Sequence, residues 1–180
     1  LYFDCEGADF DSVAAFAEIN SFVGLVDDLF STYKATSAVS QIRAGLLDIS
    51  SAPADVIEVA NLCAVARELT DGAFDPWSVP GGFDPSGYVK GWAADKCADI
   101  AQEHGAQHVQ VNCAGDLALR GGFNDGGVIK PWSIGISNPD NTKEVVHVVE
   151  IFDGAIATSG DYERGAHMHD PYTGMIAKSA

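Results

Sequence analysis

GAQHVQVNCAGDLALR, Gly105 to Arg120, is the stretch that decides the class of fold. Up to Gly105 the apolar residues recur at helical spacing, and beyond it they alternate. Val109 and Val111, then Leu117 and Leu119, stand two apart, the period of a half-buried strand. Strands are therefore expected at Val109–Asn112 and Leu117–Arg120. The same alternation predicts further strands at Trp132–Ser137, Val145–Phe152 and Ala155–Thr158. Asp153-Gly154, between the last two, is a strong two-residue hairpin signal.

Toward the N-terminus the spacing predicts helices. Asp11 to Phe30 carries Val13, Phe16, Ile19, Phe22 or Val23, Val26 and Leu29 or Phe30 along one face. Ala54 to Leu69 carries Val56, Val59, Ala60, Cys63 and Ala66, with Ser51 and Pro53 as start signals. From Val89 to about Glu103 a third helix places Val89, Trp92, Ala93, Cys97 and Ile100 together. The Gly- and Pro-rich connection from Gly72 to Gly87 contains one tripeptide twice, Phe74-Asp75-Pro76 and Phe83-Asp84-Pro85. Helices followed by a run of strands predict an α+β fold, with helices packed on a mainly antiparallel sheet. At 180 residues the chain is expected to form a single domain with a real core.

The charge balance narrows the function. Ten basic residues against 26 acidic ones give a net charge of −16, which argues against non-specific nucleic-acid binding. An anionic ligand would need a locally built site, from backbone amides, a few cations or a divalent metal. No apolar run approaches the ~18–20 residues of a membrane-spanning helix. Cys5, Cys63, Cys97 and Cys113 form no Cys-x-x-Cys pair and are expected as free, largely buried thiols.

Two segments concentrate chemistry. Asp84 to Gly91, DPSGYVKG, runs from a turn into a helix start, where amides attract phosphate, and Lys90 lies in the first turn. An ordinary capped helix explains the same residues, and Asp84 could be a cap, a ligand to a sugar hydroxyl or a metal neighbour. Each Phe-Asp-Pro also has a plain reading as a turn, with the Phe inward and the Asp bonding local amides. Tyr33, after the first helix, could stack on a flat ring or simply pack. The second segment, Ala157 to Gly174, collects Thr158, Ser159, Gly160, Arg164, His167, His169 and Asp170. Two imidazoles without a third ligand make an incomplete metal site. One histidine as a general base is the better use, contributing about 10²–10⁴-fold.

In this order the pieces resemble the ApbE family of flavin transferases, over about Phe30 to Ala177. FSTYKATSAVS (Phe30–Ser40), TDGAFDP (Thr70–Pro76), FDPSGYVKGWAADK (Phe83–Lys96), VNCAGDLALRG (Val111–Gly121) and ATSGDYER with HMHDPYTG (Ala157–Arg164, His167–Gly174) are similar to five motifs of that family. The short DPSGxVKGWA form resembles that of compact actinobacterial members.

The resemblance implies a T-fold-related α+β domain and transfer of FMN from FAD to a protein Thr or Ser hydroxyl. It implies Mg²⁺, and an acceptor flavoprotein carrying Asp-x-x-Ser/Thr-Gly-Ala-Thr/Ser, a pattern this sequence lacks. Residue by residue, it implies that Tyr33, Ala73, Phe74 and Asp75 contact FAD and that Asp84 and Lys90 hold its nucleotide half. Thr158, Ser159 and Gly160 would line the pyrophosphate–flavin pocket. The Gly87 carbonyl would be a metal ligand and His167 the base. Ala38, Arg43, Ala114 and His169 stand where the family usually has Glu, Asn, Gly and an apolar residue. The family's Met-Gly-Thr strand before the first helix and its C-terminal metal-ligand segment have no counterpart in these residues.

Overall fold

A strand precedes the first helix, which the helices-then-strands order did not anticipate. The computed structural model describes residues 2–158 and 170–175, and it opens on β1, Tyr2–Glu6. Phe3 and Cys5 are half-buried while Tyr2, Asp4 and Glu6 are exposed. That alternation is short and acidic, and it gains meaning only from its pairing with another strand. The order continues with α1 (Ser12–Phe30), α2 (Ala38–Arg43), a 3-10 turn (Ile49–Ser51), α3 (Ala54–Leu69) and α4 (Ser86–Glu103). The strands that follow are β2 (His108–Cys113), β3 (Asp116–Arg120), β4 (Phe123–Asp125), β5 (Val128–Lys130), β6 (Trp132–Asn138), β7 (Asn141–Ile151) and β8 (Gly154–Ile156). The architecture is α+β, and the described strands all pair antiparallel: a four-stranded sheet in the order β1-β2-β3-β8, and the two-stranded β4-β5 and β6-β7.

The chain divides into two compact units, residues 1–21 with 93–158, and 22–92 with 159–180. In the first, Val109, Val111, Leu117, Ala118 and Leu119 of the sheet are buried, as are Ala15 and Ile19 of α1 and Ala94, Cys97, Ala98 and Ala101 of α4. Leu117, Leu119 and Trp132 form one cluster, with Phe123, Ile134, Ile151 and Ile156 against it. The α1 stripe is narrower than its spacing predicted: Val13 is 80% exposed. In the second unit Phe30, Val39, Val56, Val59, Cys63, Phe83, Val89 and Trp92 are buried. Trp92 meets Phe22 and Phe30 with ring centroids 5.6 Å apart in both pairs, and its indole N–H donates to Glu58 Oε1 at 3.1 Å.

Asp153-Gly154 does not close the expected hairpin. β7 pairs with β6, Trp132 opposite Ile151, whereas β8 pairs with β3, Leu117 opposite Ile156. Gly154 has φ +149°, not the tight-turn value, and Asp153 Oδ1 accepts the Gly121 amide at 2.8 Å. Turn composition is local, whereas β8 takes its partner from the four-stranded sheet. The cysteines are free as expected: burial pushes the Cys63 and Cys97 thiols up to about 12. Among the described residues no helix is long and apolar enough to cross a membrane.

Candidate functional site

The second unit presents two turns built on the repeated Phe-Asp-Pro. The first follows α3. Asp71 and Gly72 take φ +51° and +86°, and the Gly72 amide donates back to the Arg67 carbonyl at 2.8 Å, ending the helix. Thr70 Oγ1 donates to the Ala66 carbonyl at 2.9 Å and accepts the Phe74 amide at 3.0 Å. Asp75 is held on both oxygens: Arg67 Nε donates to Oδ2 at 2.7 Å and the Trp77 amide to Oδ1 at 2.9 Å. The Phe74 ring lies against Tyr88, centroids 6.3 Å apart. It also crosses so near Gly87 that a Cβ there would come within 3.3 Å of it.

The second turn repeats the scheme. Asp84 Oδ1 accepts the Ser86 amide at 3.0 Å and the Ser86 hydroxyl, capping the start of α4. Arg43, the last residue of α2, takes the place that Arg67 has in the first turn. Its Nη1 is 3.6 Å from Asp84 Oδ2 and donates to the Gly82 and Phe83 carbonyls at 3.4 Å each; Nη2 donates to the Pro80 carbonyl at 2.8 Å. The Trp77 and Phe83 rings stack at 5.5 Å, and the Asp84 amide donates to the Pro76 carbonyl at 2.8 Å. Pro76 and Pro85 are fully buried. The two turns are thus one bonded assembly, each Asp fixed by a cation and by an amide two residues on. The turn reading of Phe-Asp-Pro describes both.

Other site residues lie around this assembly in sequence. Ala73 is exposed, and Lys90 is half-buried one turn into α4. The Tyr33 ring is 98% exposed. The adjacent Lys34 is engaged by Asp27 at 2.5 Å and Asp28 at 2.6 Å, and those hydrogen bonds raise its pKa. Asp170 to Gly174 forms a closed turn. Thr173 Oγ1 donates to Asp170 Oδ2 at 2.7 Å and the Tyr172 amide to Oδ1 at 2.9 Å, and together they hold the carboxyl below its ordinary range. The Tyr172 hydroxyl donates to the Asp71 carbonyl at 2.6 Å, tying this turn to the end of α3.

In the first unit β8 ends at Ile156, short of the expected end at Thr158, and the Thr158 amide donates to Asp116 Oδ1 at 3.1 Å. Ser159, Gly160, His167 and His169 lie outside the described residues. Arg67, Tyr172 and the fixing role of Arg43 were not read from the sequence. The Arg43 substitution was visible, but its partner lies 41 positions away.

A side-chain cluster for Mg²⁺ is not found among the described residues. Among them no three His, Cys, Asp or Glu side chains gather closely enough to share an ion. The Gly87 carbonyl is in the first turn of α4. Asp84, the nearest carboxylate along the chain, is engaged by Ser86 and Arg43.

The chain is similar to known proteins in both sequence and fold. Residues 78–180 match the model of the ApbE family. A FAD:protein FMN transferase of Vibrio cholerae is 38% identical over 100 residues, which are 51% of this chain and 29% of that protein. The matched stretch is therefore less than a third of that relative's length. The solved flavin transferase ApbE from Vibrio cholerae superposes with a TM-score of 0.76 at 25% identity, over 96% of this chain and 72% of that one. The ApbE protein of Thermotoga maritima shares the fold with a TM-score of 0.81 at 22% identity, over 96% of this chain and 73% of that one.

Proposed function

The chain belongs to the ApbE family, and from that membership we propose that it transfers FMN from FAD to a Thr or Ser hydroxyl of an acceptor flavoprotein. The observation that carries this reading is the family match over residues 78–180. It is supported by the likeness in fold to a flavin transferase along 96% of the chain. The short Asp84–Ala93 segment favours a compact, actinobacterial-type member. The acceptor carries Asp-x-x-Ser/Thr-Gly-Ala-Thr/Ser.

The roles are those that the resemblance of its motifs to the family's implies. Tyr33 offers an open ring to the isoalloxazine. Ala73, Phe74 and Asp75 form the first turn against FAD, and Asp84 and Lys90 hold the nucleotide half. A carboxylate has roughly four lone-pair sites. Asp84 accepts two hydrogen bonds from Ser86 on Oδ1, and the Arg43 guanidinium stands 3.6 Å from Oδ2 as an ion pair, so the carboxylate keeps capacity for a sugar hydroxyl. Thr158, Ser159 and Gly160 line the pyrophosphate–flavin pocket. His167 takes the proton of the acceptor hydroxyl, whose oxygen attacks the FMN phosphorus in line. The bond from that phosphorus to the bridging oxygen breaks, and AMP leaves with the oxygen and its electron pair. Mg²⁺ belongs to this reading as the counter-charge to the pyrophosphate. The Gly87 carbonyl would be one of its ligands.

AMP release separates this reaction from its rivals. The protein is incubated with FAD and Mg²⁺, with and without an acceptor carrying the motif. AMP that appears only with acceptor supports transfer, and AMP without acceptor means a pyrophosphatase. FAD bound with no AMP in either arm leaves a binding protein. His167→Ala should cut AMP release by about 10²–10⁴-fold while FAD affinity stays; loss of FAD binding instead removes the base assignment.

A further inference from the structure

We propose that Arg43 is a positioning residue for the nucleotide half of FAD, acting through Asp84. This rests on the flavin transferase reading above and adds a residue to it. Arg43 reaches from α2 across the Pro80–Asp84 loop and ties three successive features of it: the Pro80 carbonyl, the Gly82 and Phe83 carbonyls, and the Asp84 carboxylate. The loop needs such a tie, since Gly81 and Gly82 both take φ near +88° and leave the chain otherwise free to turn there. Gly81 also leaves room for the guanidinium, because a Cβ at that position would meet Arg43 Nη2.

The planar fork of Arg suits this set of acceptors, and a lysine ammonium cannot reproduce it. Asp84 is then fixed from three sides: its amide by Pro76, one oxygen by Ser86 and the other by Arg43. Both charged side chains stay about a quarter exposed, 24% for Arg43 and 28% for Asp84. The carboxylate is therefore oriented and still open to a ligand. Arg43 spends its donors on the loop, so its influence on FAD passes through the carboxylate it orients.

Calorimetric titration with FAD, AMP and FMN tests this on the whole chain, using wild type, Arg43→Gln, Arg43→Lys, Asp84→Asn and the Arg43→Gln/Asp84→Asn double variant. Arg43→Gln should weaken FAD and AMP about tenfold, the usual scale for a lost charged hydrogen bond, and leave FMN within twofold. Arg43→Lys should fall between wild type and Arg43→Gln for AMP. In the Asp84→Asn background, Arg43→Gln should add less than twofold, since the two residues act as one unit.

Equal weakening of AMP and FMN would overturn the proposal and leave a structural role only, as would independent losses in the double variant. Unchanged AMP affinity in both Arg43 variants would overturn it while the flavin reading stands. A wild-type chain that binds none of the three ligands removes the flavin reading itself. Should Arg43→Gln fail to fold, the AMP-to-FMN ratio of Arg43→Lys decides in the same way.

Discussion

Replacing Ala114 with glycine should stabilise the protein. β2 and β3 end their ladder at Cys113 opposite Asp116, so Ala114-Gly115 is a two-residue hairpin loop. Its φ values are +50° and +97°, both positive as a type I′ turn requires, and such turns favour Asn-Gly or Gly-Gly. Alanine at the first position carries a Cβ into left-handed backbone, at a cost of roughly 1–2 kcal/mol. Glycine removes that cost and returns about 0.4–1 kcal/mol of unfolded-state freedom. The net gain for Ala114→Gly is about 0.7 kcal/mol, which at this size raises Tm by roughly 1–3 °C. Ala114→Asn should gain at least as much, since asparagine tolerates this conformation without glycine's added entropy. Gly115→Ala, with open space around its Cβ but φ +97°, should lose about 1 kcal/mol. Thermal melts with guanidinium titrations measure all three. A destabilised Ala114→Gly, or a neutral Gly115→Ala, would refute the turn assignment.

Two further perturbations follow from the core. Leu119→Ala, at a fully buried position beside Leu117 and Trp132, should cost about 2–5 kcal/mol. Val13→Ala, at an exposed site on α1, should change stability by less than about 0.5 kcal/mol. Comparable losses in urea titrations would mean the α1 face is wrongly assigned. Cys63 and Cys97 ionise only near pH 12 in the fold against 9.0 for a free thiol. Their contribution is therefore full below about pH 9 and is lost as pH rises from there toward 12. The denaturation midpoint should drop above pH 9, and Cys63→Ala/Cys97→Ala should flatten the drop; an unchanged slope would assign it to other groups.

Much of the fold could be read from the residues. α3 matched its expected bounds because Val56, Val59, Ala60 and Cys63 repeat at helical spacing and are buried as a set. β2 and β3 followed from Val109, Val111, Leu117 and Leu119 for the equivalent reason. β4 and β5 have three residues each and are mostly exposed, so they leave no apolar alternation to find. α2 is less than two turns long and is set by its Ser37 cap, whose hydroxyl accepts the Ser40 amide. The Asp153-Gly154 hairpin failed because strand pairing is a long-range choice. At the site, the motifs marked both Phe-Asp-Pro turns and the α4 start. The arginines that hold them come from 8 and 41 positions away, a separation at which spacing carries no signal.

The most direct test of the central claim is the intact mass of an acceptor flavoprotein after incubation with this protein, FAD and Mg²⁺. FMN transfer predicts a gain equal to FMN less one water, absent when the motif's acceptor Thr is replaced by Val. An acceptor of unchanged mass, under conditions where an established family member flavinylates it, would contradict the assignment.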